Sequence, residues 1–190
     1  MSKIFRRIQY NSPVVLTFTL LALVSYMLGL ATDKFTTRFL FSNYKTNFLD
    51  PLQYVRLFTH VLGHANWMHF AGNFLIILII GPMLEEKYGS KNIIKMILIT
   101  AFVTGLIHTL FSSTVLLGAS GVAYMFIILS SFTNTEAGKI PLTLIIVFLI
   151  FVGREVFSSV TAQDNISQIS HILGGVCGVM FAFRKSKRIN

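Results

Sequence analysis

The chain is short of almost everything a soluble protein relies on. Only 12% of its 190 residues are charged, where an ordinary soluble domain carries about 25%. That shortage excludes disorder and all but excludes a water-soluble monomer. A single cysteine, Cys177, rules out an intrachain disulfide. Four prolines and 13 glycines rule out collagen-like and linker-rich chains. Acidic residues number only 7, and none lies near the middle of an apolar run. This argues against carboxylate-based proton coupling, a carboxylate-lined cation site, and intramembrane catalysis by paired aspartates.

What is present is hydrophobic: 54% of residues, with a mean hydropathy of +0.70. A helix needs about 20 mostly apolar residues to cross a bilayer. Six stretches qualify: Pro13 to Ala31, Trp67 to Leu84, Ile93 to Phe111, Val115 to Phe132, Ile140 to Phe157 and Ile166 to Phe183. The fifth is the weakest, because Arg154 and Glu155 interrupt its end. The first follows Lys3, Arg6 and Arg7 but has no small-residue cleavage site before Asp33, so it reads as a retained span rather than a signal peptide. The fold class expected is all-α: one polytopic membrane domain, residues 1–190, built as a six-helix bundle.

The net charge of +9 would suggest nucleic acid in a soluble protein. Here the basic residues form short clusters between apolar runs, which is the membrane pattern, so the partner expected is the lipid bilayer and not nucleic acid. Six spans put both termini on one side. With the connections after the second and fourth spans, that side carries 11 of the 16 basic residues, and the positive-inside rule makes it cytoplasmic. The expected location is the plasma membrane, multi-pass. The connection Thr32 to Asn66, about 35 residues long, is then external. Loops of that length are usually functional or partly structured, and its aromatic residues suit an amphipathic segment lying in the interface.

Polar groups at membrane depth are costly and therefore candidates for function. The spans contain His69, Asn73, His108, Ser120, Tyr124, Arg154, Glu155 and His171. His69 and Asn73 are spaced i, i+4 and share a helix face. Ser120 and His171 each lie about five residues inside their spans, a depth of about 7–8 Å. Three spans thus bring a serine, two histidines and an asparagine to one shallow level near the external face.

Ser120 sits in Gly118-Ala119-Ser120-Gly121. The flanking glycines permit tight backbone approach. A helix starting at the serine would aim free N–H groups and its dipole at the site, as an oxyanion requires. The competing reading of those four residues is a small-residue helix contact. Gly174 and Gly178 follow His171 at i+3 and i+7, a face that lets a neighbouring backbone come close. If that neighbour is the fourth span, His171 reaches the Ser120 hydroxyl, and a neutral imidazole is the usual base for a serine nucleophile. Tyr124, one turn beyond Ser120, is placed to pack on the imidazole. His60, His64 and His69 invite a metal reading, but the HExxH pattern is absent and no acidic base is near. No metal or cofactor is expected, and His60, His64 and His108 receive no role. Cys177 reads as a small apolar packing residue.

Together these motifs resemble the rhomboid family of intramembrane serine proteases, from about Tyr54 to Phe183. The stretch from Phe58 to His69, with Asn73, resembles the family's histidine-rich approach to the second span. Leu84 to Ser90 resembles its exit, Gly118 to Gly121 the family's GxSG, and His171 with Gly174 and Gly178 its HxxGxxxG. The resemblance implies a Ser–His dyad without an acidic third member: Ser120 as nucleophile, His171 as base and then acid. It further implies an oxyanion hole of His69, Asn73 and the Ser120 N–H, with Tyr124 supporting the histidine. It implies the minimal six-helix bacterial form, with the fifth helix as a mobile side gate. The family's Trp-Arg of the first loop reads Val55-Arg56 here, a departure that touches loop packing. The function expected is a serine endopeptidase cutting transmembrane segments of membrane proteins near the external face. The alternatives are a non-catalytic rhomboid-like binder of membrane helices, and a transporter or channel. The last would place polar groups along a full path rather than at one level.

Overall fold

The computed structural model describes residues 9–47, 49–133, 139–161 and 165–186. Of the residues used above to orient the chain, Lys3, Arg6, Arg7, Lys187 and Arg188 lie outside them, as do the side chains of Arg154, Glu155 and Lys185. The regular elements among the described residues are all helices: α1 Pro13–Ala31, α2 Phe35–Leu40, α3 Pro51–Thr59, a 3-10 turn at His60–Leu62, α4 Trp67–Tyr88, α5 Ser90–Phe111, α6 Ser120–Ser131, α7 Leu142–Thr161 and α8 Asn165–Ser186. Of these, α1, α4 and α5 are long and apolar enough to cross a membrane.

Helix starts are fixed by identifiable groups. Pro13 opens α1, where a missing N–H is harmless. The cap of α1 comes from α4: the Glu85 carboxylate accepts from the N–H groups of Val14 and Val15, both at 3.0 Å, and from Ser90 Oγ at 2.6 Å. A buried carboxylate is thereby satisfied by three donors and a helix dipole. Asp50 caps α3 by accepting from Leu52 N–H, and Asn66 caps α4 by accepting from His69 N–H at 2.9 Å. Gly89, at φ +80°, separates α4 from α5. The second and third spans consequently run to Tyr88 and from Ser90, longer than expected.

The long connection after α1 is folded rather than loose. Arg56 is buried, paired with Asp50 at 3.1 Å, bonded through Nε to the Phe39 carbonyl at 2.8 Å and seated on the Tyr44 ring at 4.6 Å. Asn43 is fully buried. Its amide donates to the Gly105 carbonyl (2.8 Å) and Thr109 Oγ1 (3.0 Å), and its carbonyl oxygen accepts from Gln53 Nε2 (3.0 Å). Its backbone pairs with Leu116 in an isolated antiparallel bridge, both bonds 2.8 Å. The connection is thus joined to α5 and to the segment leading into α6.

That bridge corrects the fourth span. Residues expected to be helical from Val115 lie outside any helix as far as Ala119, and α6 begins only at Ser120. Leu116 is committed to Asn43, the Gly118 N–H donates to the His60 carbonyl at 2.9 Å, and Gly118 has φ +121°. This conformation is open to glycine and closed to a helix. The 12 residues of α6 rise about 18 Å, short of the roughly 30 Å hydrocarbon core. The helix is central, packed among α4, α5, α7 and α8. Val122, Met125, Phe126 and Leu129 are fully buried against Phe74, Ile77 and Leu84 of α4. The outer faces of α1 and α4 present exposed apolar side chains such as Leu21, Val24, Leu75 and Ile79, the surface a lipid-facing helix requires.

Candidate active site

Because α6 is short, its N-terminus ends inside the bundle and opens on a cavity of about 560 Å³. The polar side chains lining it are His69 and Asn73 from α4, Ser120 and Tyr124 from α6, and His171 from α8. These are the five side chains expected from the sequence to share one site, and all five line this one space. The remaining lining is apolar.

Ser120 is the first residue of α6 and half-buried. The first helical bond of α6 runs from the Ala123 N–H to the Ala119 carbonyl, 2.9 Å, so the N–H groups ahead of it are left for other partners. The positive end of the helix dipole faces the same space. His171 packs on Tyr124 with ring centroids 4.5 Å apart and planes 40° apart. The approach of α8 to α6 is made by glycine. A Cβ at Gly174 would collide with the Gly121 carbonyl, and one at Gly178 would stand 2.7 Å from the Met125 carbonyl. The two helices therefore touch backbone to backbone, which carries His171 to the level of Ser120.

Gly118 serves twice. Beyond its φ, a Cβ there would lie 2.6 Å from His69 Nε2, so the absent side chain makes room for the His69 ring. Asn73 is buried, and its amide faces His64 Nε2 at 3.2 Å. An amide nitrogen has two hydrogens, so one holds His64 and the other remains for the cavity.

His64 and His60, left without a role above, prove to be supports of this site. His64 Nδ1 lies 3.2 Å from the Leu62 carbonyl. A carbonyl can only accept, so Nδ1 carries the proton and Nε2 is an acceptor. It accepts from Asn73 Nδ2 and, at 3.4 Å, from the Ala119 N–H next to Ser120. Its ring meets His69 edge-on at 5.0 Å. Burial, and secondarily the neighbouring His69, push the His64 pKa down to about 4. Burial likewise brings His60 to about 4. His60 donates from Nε2 to the Ala101 carbonyl at 3.0 Å, and its own carbonyl holds Gly118. Nothing in a sequence period marks these contacts, since His60 lies in the 3-10 turn and His64 in the irregular segment between it and α4. The only signal was the density of histidines ahead of α4. Gly121 packs near Thr104 and the Ser170 carbonyl. His108 lies away from the cavity lining, with Nε2 3.4 Å from Thr114 Oγ1. Among the described residues no cluster of three or more His, Cys, Asp or Glu is placed to hold a metal.

Residues 51–188 match the Rhomboid domain family. The chain is 28% identical over 141 residues to a rhomboid protease GlpG of Serratia proteamaculans, covering 70% of this chain and 50% of that protein. It is 23% identical over 135 residues to a rhomboid protease GlpG of Haemophilus influenzae, covering 70% of each. The chain thus spans about half the length of the first relative and somewhat more than two thirds of the second. A domain match over most of the chain, on a helical bundle with membrane-crossing helices, makes this chain a membrane protein of the rhomboid family.

Proposed function

We propose that this chain is an intramembrane serine endopeptidase that cuts transmembrane segments of membrane proteins. The observation that carries the reading is the single cavity lined by Ser120, His171, Tyr124, His69 and Asn73. The names of the two relatives, both rhomboid proteases, support it.

In this reading His171 takes the Ser120 hydroxyl proton as Oγ bonds to the substrate carbonyl carbon. The carbonyl π pair moves onto oxygen. The resulting oxyanion is met by the Ser120 N–H, by the second hydrogen of the Asn73 amide and by His69, with the α6 dipole behind them. Collapse breaks the C–N bond, and the His171 proton goes to the leaving amine. Water, deprotonated by His171, then hydrolyses the acyl-enzyme ester and frees Ser120. No acidic third member is used; the Tyr124 ring fixes the imidazole plane instead. The cavity at the α6 N-terminus holds the water that hydrolysis needs, and the cut falls near the external face. A substrate helix must unwind to offer a carbonyl, so single-span proteins with small or helix-breaking residues near the cut are the substrates. No cofactor or metal takes part.

The test is cleavage of a panel of single-span reporters, with activated fluorophosphonate labelling of Ser120. Ser120→Ala and His171→Ala should each nearly abolish cleavage, and the double variant should be little worse than either, because groups acting as one unit are non-additive. Reporters bound but uncut by the wild type, with Ser120 unlabelled, would identify a non-catalytic binder of membrane helices.

A further inference from the structure

A second pocket, of about 690 Å³, lies toward the opposite end of α4 from Ser120 and His171. It forms where α1 starts, α4 ends and α5 starts, between Ser12, Glu85, Glu86 and Ser90. The 22 residues of α4 rise about 33 Å, close to the roughly 30 Å of a hydrocarbon core. A pocket at the end of that helix therefore opens at the level of the lipid headgroups.

Its polar groups are chiefly acceptors, and two of them lack a partner. Ser12 is only 3% exposed, yet its hydroxyl neither caps α1 nor bonds to another described residue. A buried hydroxyl left unpaired is costly, and the pocket is the space it faces. Glu86 is exposed and joins no ion pair or hydrogen bond among the described residues. Glu85 accepts from three donors, where a carboxylate has about four acceptor positions, so one is left. Among the described residues no lysine, arginine or aromatic ring lines the pocket. The rest of the wall is apolar, with Ile79 and Met83 of α4. These two continue at i, i+4 spacing from Leu75, and all three are exposed on the outer face of the helix. The pocket thus has a polar mouth that runs into a lipid-facing stripe.

This lining selects among headgroups. Anionic headgroups are held by basic pockets, and here two carboxylates would repel one. A quaternary ammonium is held by aromatic faces, which are missing. A primary ammonium has three N–H donors, and they match the Glu86 carboxylate, the Ser12 oxygen and the acceptor position left on Glu85. A phosphate beside it finds donors in the side-chain amides of Gln9 and Asn11, which line the same pocket. It also meets the start of α5, where the Ser90 and Lys91 N–H groups precede the first bonds, from Asn92 and Ile93 to the Gly89 carbonyl.

We infer that this pocket binds one phospholipid with an ethanolamine headgroup, its ammonium held by Glu86 and Ser12 and its acyl chains lying on the stripe of Leu75, Ile79 and Met83. The site is separate from the cavity around Ser120 and does not depend on the proteolytic reading.

The experiment takes the full chain, delipidated in a neutral detergent, and offers it equal amounts of dioleoyl phosphatidylethanolamine, phosphatidylcholine and phosphatidylglycerol. Retained lipid is counted by native mass spectrometry. One phosphatidylethanolamine should be retained over either competitor by about 10-fold or more, the weight of a charge-assisted hydrogen bond. Glu86→Gln should remove most of that preference, and Ser12→Ala should reduce it by about 3-fold, as loss of a neutral hydrogen bond does. Both variants should keep the wild-type thermal unfolding midpoint, because neither side chain bonds within the protein. Glycerophosphoethanolamine, the same headgroup without acyl chains, should not displace the lipid at equal concentration. Equal retention of the three lipids, or a preference that survives both substitutions, would overturn the inference. Displacement by glycerophosphoethanolamine would overturn it in favour of a site for a soluble amine.

Discussion

His64 shows how one side chain can carry a site without touching a substrate. Its Nε2 must stay unprotonated, because two donors, Asn73 Nδ2 and the Ala119 N–H, point at it. A proton there would face both hydrogens and release the asparagine and the residue before Ser120. This yields a definite pH dependence. His60 and His64 have pKa values lowered from 6.5 to about 4 in the folded protein. In the unfolded chain they bind protons already below about 6.5, so the unfolded state binds more protons between 4 and 6.5. Stability from these two residues is complete above 6.5 and falls as pH drops toward 4. Thermal unfolding in detergent should therefore give a Tm that is flat from about pH 8 to 6.5 and declines by several degrees toward pH 4.5. His64→Gln should have a shallower acid slope. An acid slope that His64→Gln leaves unaltered would assign the decline to other groups.

The decisive contact between elements is the crossing of α6 and α8. Their backbones meet at Gly121 and Gly174, so the distance from Ser120 to His171 depends on a missing methyl group rather than on either side chain. Gly174→Val should separate the helices and suppress both cleavage and fluorophosphonate labelling. The overpacking should also lower stability by about 1–3 kcal/mol or more. Gly175→Ala is the control, since a Cβ there meets only Ile128 Cγ1 at 3.6 Å. It should remain active, and equal loss in both variants would reject the crossing as the cause. This crossing was legible in the sequence, because glycines at i+3 and i+7 from a histidine mark one face of one helix. The bounds of α1 were legible for a similar reason, with Pro13 and the Asp33-Lys34 pair enclosing an apolar run. The late start of α6 was not. It is imposed by Asn43 and by the His60 carbonyl, partners far away in sequence, against an apolar stretch that reads as helix by itself. Glu85 was hidden in the same way: its position resembled a helix exit, while its chemical task is at the start of α1.

At the scale of the whole molecule, the cavity, the long connection and the starts of α4, α6 and α8 lie at one end of the bundle. The proposed orientation makes that end external and both termini cytoplasmic. Single cysteines at Lys45 and Lys187, in a Cys177→Ser background, should react with an impermeant thiol reagent from opposite sides of the membrane. Reaction of both from the same side would discard the six-span arrangement.

The order of the parts along the chain has its own consequence for biogenesis. α1 lacks its cap until Glu85 of α4 arrives, the segment ahead of Ser120 is held by Asn43 from the earlier connection, and His171 stands on α8, after all of these in the chain. A chain leaving the ribosome N-terminus first therefore makes Ser120 and its α4 and α5 surroundings before it makes His171. Ser120 enters the membrane without His171, its proposed base, and gains it only when α8 docks. In the proposed mechanism a half-made chain is then inert toward the other nascent proteins around it, and hydrolytic competence is acquired in a single late step of assembly.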